Sequence, residues 1–177
     1  AEVSEDHSEA AQAILRYELE TFVCDGQYEK GLETILDKFL LNLDAGSEQP
    51  GVWISGFYGS GKSHLAKMLR TLWTDYLFSD GATARSLAKL PTGVFEHLKE
   101  LSTQGKRHGA LHAAAGKLGA GAGDKVRLAL LGIVFKSKGL PEQYNQAQFV
   151  LWMQREDILP SIEAELKAAG RSLAQEL

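Results

Sequence analysis

The sequence predicts an α/β fold that is rich in helices and contains few strands. Residues 52–55, Val-Trp-Ile-Ser, form a β-branched and aromatic run of the kind that ends a buried strand. A glycine-rich segment follows, and from Lys62 onward the apolar residues recur with helical spacing. Because most of the other segments also have helical spacing, we expect a strand, a loop and a helix within a mainly helical chain.

Two amphipathic helices are predicted before this segment. Ser8 is suited to cap the first helix, which ends near Asp25-Gly26. The second helix has apolar residues at helical spacing from Leu32 to Leu43. We therefore expect a helical lead-in over residues 1–50 and a second domain over residues 51–177.

The segments after the loop also favour helices. One apolar stripe runs from Leu65 to Tyr76, and a weaker helix follows Pro91. The small-residue stretch that begins at Gly109 has room for one short strand over residues 110–115. Residues 124–135 fit either a buried helix or a strand, and we favour a helix.

The last third of the chain is predicted to be helical as well. Residues 146–158 read as an amphipathic helix with Phe149, Val150 and Met153 facing inward. Pro160 either ends this helix or begins the next one, in whose first turn its missing N–H has no cost. Gly170 is suited to the left-handed position that follows a helix.

Composition excludes several classes of protein. The 19 Lys and Arg residues are outnumbered by 23 Asp and Glu residues, so no overall basic field attracts nucleic acid. Any contact with DNA must therefore be local or made by another chain. Cys24 is the single cysteine, which excludes an internal disulfide and a cysteine-based zinc site. The longest apolar run is far shorter than a membrane span, and the acidic N-terminus is unlike a secretory signal, so we expect a cytoplasmic protein.

The most informative segment is Gly-Phe-Tyr-Gly-Ser-Gly-Lys-Ser, residues 56–63, which is a complete G-x-x-x-x-G-K-[ST] phosphate-binding loop. Its four fixed positions would arise by chance in under about 1% of chains of this length. Glycines let successive backbone amides curl around a phosphate, and the helix that follows adds its positive N-terminal end. The motif therefore predicts ATP as ligand, held in a P-loop nucleotide-binding core of which residues 51–177 form part.

Two side chains of this loop have specific expected tasks. The Lys62 ammonium is expected to reach the β- and γ-phosphate oxygens, and the Ser63 hydroxyl is expected to be a ligand of Mg²⁺. Hydrolysis also requires an acid at the end of a second strand. Glu156 and Asp157 are the nearest candidates, but their apolar neighbours favour a surface helix. The catalytic acid and the arginine finger therefore stay unassigned.

Residues 52–65 as a whole, Val-Trp-Ile-Ser-Gly-Phe-Tyr-Gly-Ser-Gly-Lys-Ser-His-Leu, resemble the Walker A segment of large P-loop ATPases of bacteriophage-exclusion (BREX) defence systems, of the BrxC and PglY type. Residues 17–23, 111–124 and 140–144 are also similar to segments of that family. The resemblance implies an N-terminal fragment of an AAA-like nucleotide-binding domain. It adds His64 to the expected cofactor-binding residues, which are Gly56, Phe57, Tyr58, Gly59, Ser60, Gly61, Lys62, Ser63 and His64.

The same resemblance implies a function within a bacterial anti-phage complex. Members of the family act in the cytoplasm with a DNA methyltransferase and other defence proteins, so such partners are expected here, and an oligomer is possible. Contact with DNA is expected to be indirect or made by parts outside this chain. Two alternatives remain open, a nucleotide-gated scaffold without significant turnover and, less favoured, a small-molecule kinase.

Overall fold

The computed structural model describes residues 8–43, 51–118 and 125–177. These residues form a series of helices, which are α1 (Glu9–Glu20), α2 (Gly26–Leu43), α3 (Lys62–Trp73), α4 (Ala84–Leu87), α5 (Thr92–Arg107), α6 (Val126–Ser137), α7 (Tyr144–Arg155), α8 (Leu159–Ala168) and α9 (Leu173–Glu176). None of these helices combines the length and the apolar content needed to cross a membrane.

The predicted α/β fold, with its P-loop NTPase core, is wrong, because the described residues contain no strand. Their β-type pairing is limited to one isolated antiparallel bridge between Leu77 and Thr83. Residues 52–55 and 110–115 lie outside helices, but neither segment forms a strand. A strand needs a partner strand with which its backbone exchanges hydrogen bonds, and the neighbouring described segments form helices.

The chain divides into two compact units, Ala1–Ala113 and Ala114–Leu177. In the first unit, α2 and α5 form the main helix pair, while α3 contacts both α4 and α5. The apolar stripes predicted for these helices form the core, with Leu32, Leu36, Met68, Leu72, Leu98 and Leu101 all buried. The predicted boundary near residue 50 borders residues 44–50, which lie outside the described residues.

Several predicted helix ends are confirmed. The Ser8 hydroxyl accepts a hydrogen bond from the Ala11 amide at 3.2 Å and caps α1. Pro160 lies in the first turn of α8, and Gly170 follows that helix with a φ of +71°. The favoured helix over residues 124–135 is present as α6, although residues 119–124 lie outside the described part of the chain.

A buried arginine connects three helices of the first unit. Arg85 in α4 is only 8% exposed, and its guanidinium donates to the carbonyls of Leu72, Trp73 and Leu98 at 2.8, 3.0 and 2.8 Å. It also donates to the Ser102 hydroxyl at 2.7 Å. Burial lowers the pKa of Arg85, and the nearby Asp75 carboxylate opposes that shift. The guanidinium therefore ties the C-terminal end of α3 to the middle of α5.

The second unit is built around α7, which contacts α6 and α8. Ala147, Val150 and Met153 of α7 are buried, as predicted for the latter two. Phe149 was expected to face inward but is 48% exposed, and its ring stacks on Trp152 at 5.7 Å between ring centroids. The four-residue spacing of Phe149 and Met153 allowed both to lie inward, but α7 buries Ala147, Val150 and Met153, which are spaced by three residues, and leaves Phe149 exposed.

Replacing Arg85 with Ala is expected to destabilise the first unit by about 3 kcal/mol, because three buried carbonyls lose a charged donor. Urea unfolding followed by Trp73 fluorescence measures this change, with Trp53 and Trp152 replaced by Phe in every protein compared. Arg107→Ala is the matched control, because Arg107 is exposed at the end of α5. Equal stability of the two variants would contradict the role given to Arg85.

Leu36→Ala is expected to cost about 3 kcal/mol of unfolding free energy, since the side chain is fully buried between α2 and its neighbours. Leu41→Ala on the same helix removes the same atoms from a side chain that is 65% exposed. The control should change stability by less than about 1 kcal/mol in the same assay. Similar losses in both variants would argue against the described core.

Candidate functional site

The glycine-rich loop, residues 56–61, leads directly into α3, so the helix predicted after the motif is confirmed. The segment before it, residues 51–55, is extended but unpaired, and Trp53 is 90% exposed. Leu65, Met68 and Leu72 anchor α3 in the core of the first unit. The loop therefore follows a segment that is neither helix nor strand and ends on a helix that is packed in the core.

The loop glycines Gly59 and Gly61 have φ values of +80° and +79°, which a residue with a side chain rarely adopts. Gly61 is also crowded, because a Cβ atom there would lie 2.6 Å from the Tyr28 hydroxyl. Glycine at position 61 is thus required both by backbone conformation and by space. The positive φ values agree with the motif, in which glycine lets the backbone amides curl around a phosphate.

Lys62 lies across the loop. Its ammonium donates to the carbonyls of Gly56 and Phe57 at 2.9 and 2.5 Å, and to the Ser60 hydroxyl at 3.2 Å. These three acceptors come from both arms of the loop, so one cation holds the arms together. The structure therefore brings Gly56, Phe57, Ser60 and Lys62 together, and the expected contact of Lys62 with phosphate oxygens stays a prediction.

The backbone amides at the start of α3 are available to an anion. Gly61 caps the helix without a side-chain hydrogen bond, and the first turn contains no acidic residue. Among the described residues, the amides of Gly61, Lys62 and Ser63 donate to no other group. An α-helix leaves its first N–H groups without internal partners, and together they carry a partial positive charge. This end of α3 therefore offers several donors and a cation within one turn.

The two aromatic residues of the loop contribute through their backbone. Phe57 and Tyr58 are 91% and 106% exposed, so their side chains pack against nothing in the described structure. The Phe57 carbonyl, in contrast, accepts from the Ser60 amide at 3.2 Å as well as from Lys62. Their prediction as cofactor-binding residues stays a prediction, and for Phe57 the geometry gives the backbone a structural part in the loop.

Ser63 and His64 differ in their surroundings. Ser63 is exposed at the start of α3, where its hydroxyl can serve as one ligand of Mg²⁺, with water and phosphate oxygens as the others. His64 turns toward α1, because its ring packs against Phe22 at 5.8 Å and its Nδ1 lies 4.0 Å from the Glu18 carboxylate. The described residues contain no cluster of three His, Cys, Asp or Glu side chains suited to a metal ion.

Sequence reasoning missed two groups near the loop. The Tyr28 hydroxyl, in the first turn of α2, donates to the Ser60 carbonyl at 2.5 Å. Glu18 of α1 forms a largely buried ion pair with Lys67 of α3. Both contacts join residues more than 30 positions apart, so no spacing rule within one helix could have indicated them.

The proposed acids Glu156 and Asp157 lie in the second unit, at the exposed end of α7. That unit also contains a cleft of about 530 Å³ lined by residues of α7, α8 and α9. Its charged lining residues are Lys138, Glu142 and Glu163, so carboxylates outnumber amines. The phosphate-binding motif lies in the first unit, so its loop is the candidate site.

Comparison of the chain with protein-family models, curated proteins and solved structures finds no match. The candidate site is therefore defined by its own residues and their geometry.

Proposed function

We propose that the chain binds ATP through residues 56–63. The observation that carries this proposal is the start of α3, where three amides have no described acceptor and the Lys62 ammonium lies across the preceding loop. A polyphosphate satisfies several such donors at once and is attracted by the helix end and by the cation. A solvated lysine at this position would instead be disfavoured, because helix N-termini repel cations.

Each residue of the site has a specific part in this proposal. The amides of Gly61, Lys62 and Ser63 donate to phosphate oxygens, and Lys62 exchanges loop carbonyls for phosphate oxygens as hydrogen-bond acceptors. Mg²⁺ bound with the nucleotide supplies additional positive charge, and Ser63 holds it through one hydroxyl oxygen. The rings of Phe57 and Tyr58 are exposed, and in this proposal the backbone of the loop, not these rings, contacts the phosphates.

The resemblance to BREX ATPases supports a wider proposal about context. We propose that the site serves a larger ATPase of a bacterial anti-phage complex, which acts in the cytoplasm with other defence proteins and handles DNA through other chains or regions. The net charge of −4 agrees with the proposal that other chains or regions contact DNA, because this chain has no overall attraction for DNA.

A nucleotide-gated scaffold is the second candidate, and one observation favours it for this chain. The first turn of α3 has no acidic residue, and Glu18, which reaches the next turn, is paired with Lys67. A carboxylate engaged in an ion pair is poorly suited to activate water. We therefore propose that residues 1–177 bind ATP without turning it over efficiently. A small-molecule kinase remains the least favoured alternative.

Lys62→Ala is expected to weaken binding of Mg²⁺-ATP at least tenfold, because it removes a charged donor to the phosphates. Isothermal titration calorimetry of the purified chain measures the dissociation constant. Lys89→Ala is the matched control, since Lys89 is an exposed lysine of the same unit. Binding by Lys62→Ala that equals binding by the control would refute the assignment of the site.

Phosphate release by residues 1–177 with Mg²⁺-ATP is expected to stay at the level of a protein-free control, because the first turn of α3 has no acid and Glu18 is paired with Lys67. A coupled phosphate assay measures this rate. Robust release that Glu156→Gln or Asp157→Asn abolishes would overturn the prediction and make the end of α7 catalytic.

A further inference from the structure

We infer that Tyr28 is a positioning residue for the phosphate-binding loop, an inference that rests on the proposed function. Tyr28 lies in the first turn of α2, and its ring packs against the core of the first unit. Its hydroxyl donates to the Ser60 carbonyl at 2.5 Å. A residue of the helical lead-in thereby holds the loop at the position next to Lys62.

The contact sets the direction of an amide that faces the ligand. In a trans peptide the carbonyl and the N–H of one plane point in opposite directions. Because the Ser60 carbonyl is drawn toward Tyr28, the N–H of Gly61 is directed away from α2. That N–H donates to no other group in the described part of the chain, so it is available to a phosphate oxygen.

The contact restricts a backbone whose glycines rotate easily, and it acts in addition to the three hydrogen bonds that Lys62 makes within the loop. Gly59 and Gly61 flank Ser60, and glycine has access to more backbone conformations than any other residue. The Ser60 amide donates to Phe57 within the loop, whereas Tyr28 is the contact that connects this peptide to a packed helix. A preorganised loop loses less conformational freedom on binding, so the contact should raise affinity.

Two features distinguish Tyr28 from an ordinary core tyrosine. Its hydroxyl oxygen approaches the loop so closely that a Cβ at position 61 would lie 2.6 Å away, so residue 28 and Gly61 fit only as a pair. The acceptor is a backbone carbonyl of the motif itself, so the hydroxyl acts directly on the backbone of the loop.

Tyr28→Phe tests the inference, because it removes the hydroxyl and keeps the ring. The dissociation constant of Mg²⁺-ATP is expected to rise about three- to tenfold, the effect of one hydrogen bond. Tyr17→Phe is the matched control, since Tyr17 is 67% exposed on α1 and outside the site. The control should bind as tightly as the unmodified chain.

Amide hydrogen exchange without nucleotide provides a readout that general destabilisation would not reproduce. Tyr28→Phe should speed exchange of the Ser60 and Leu65 amides, which donate to the carbonyls of Phe57 and Gly61, and leave α5 protected, whereas Tyr17→Phe should change neither region. Unchanged exchange at the loop, or equal loss of protection in α5, would overturn the inference. Failure of the unmodified chain to bind Mg²⁺-ATP would refute the proposed function instead, and the exchange comparison would still decide whether Tyr28 orders the loop.

Discussion

The buried guanidinium of Arg85 is the constraint on which the first unit depends. A cation removed from water is tolerated when its donors are satisfied, and here carbonyls from α3 and α5 and one hydroxyl meet that need. Two of those carbonyls, from Leu72 and Trp73, belong to the last turn of α3, and the Leu72 carbonyl also accepts from the amides of Thr74 and Asp75. The interaction therefore completes one end of α3 and fixes it against α5. It also leaves little freedom for α3 to shift as the loop at its opposite end engages a ligand.

The two ends of α3 differ in whether a charged group of opposite sign meets the helix dipole. A buried cation meets the carbonyl end, while the amide end has no acidic cap and extends into the glycine loop. Like α5, α6, α7 and α8, α3 begins without a side-chain hydrogen bond at the capping position, where Ser, Thr, Asp or Asn is favoured. Gly61 in that position cannot supply a side-chain acceptor, and Lys62 adds a positive charge where a negative one is favoured. The local cost is understandable if an anion supplies the missing acceptors.

Local sequence patterns predicted much of the fold, because a helix can be recognised from the spacing of its apolar residues and from its capping residues. Ser8, Pro160 and Gly170 identified helix ends, and the stripe from Leu65 to Leu72 identified the buried face of α3. The prediction of a strand at residues 52–55 was wrong, because a strand requires a partner strand and the residues of one segment do not show whether that partner exists. The loop motif indicated Lys62 as a ligand of phosphate, and its hydrogen bonds to the loop carbonyls became visible only in the structure. Tyr28 and Glu18 reach this region from other helices, and only the packing of those helices reveals them.

The close approach of Tyr28 to Gly61 has a consequence for how the sequence can change over time. Position 61 is restricted twice, by the ligand that the loop is proposed to hold and by the phenol that presses on its backbone. Loss of the ligand would lift the first restriction and leave the second in force. A descendant of this chain that no longer handled nucleotides would keep glycine at this position for as long as it kept the loop backbone, because the φ of +79° favours glycine even without Tyr28.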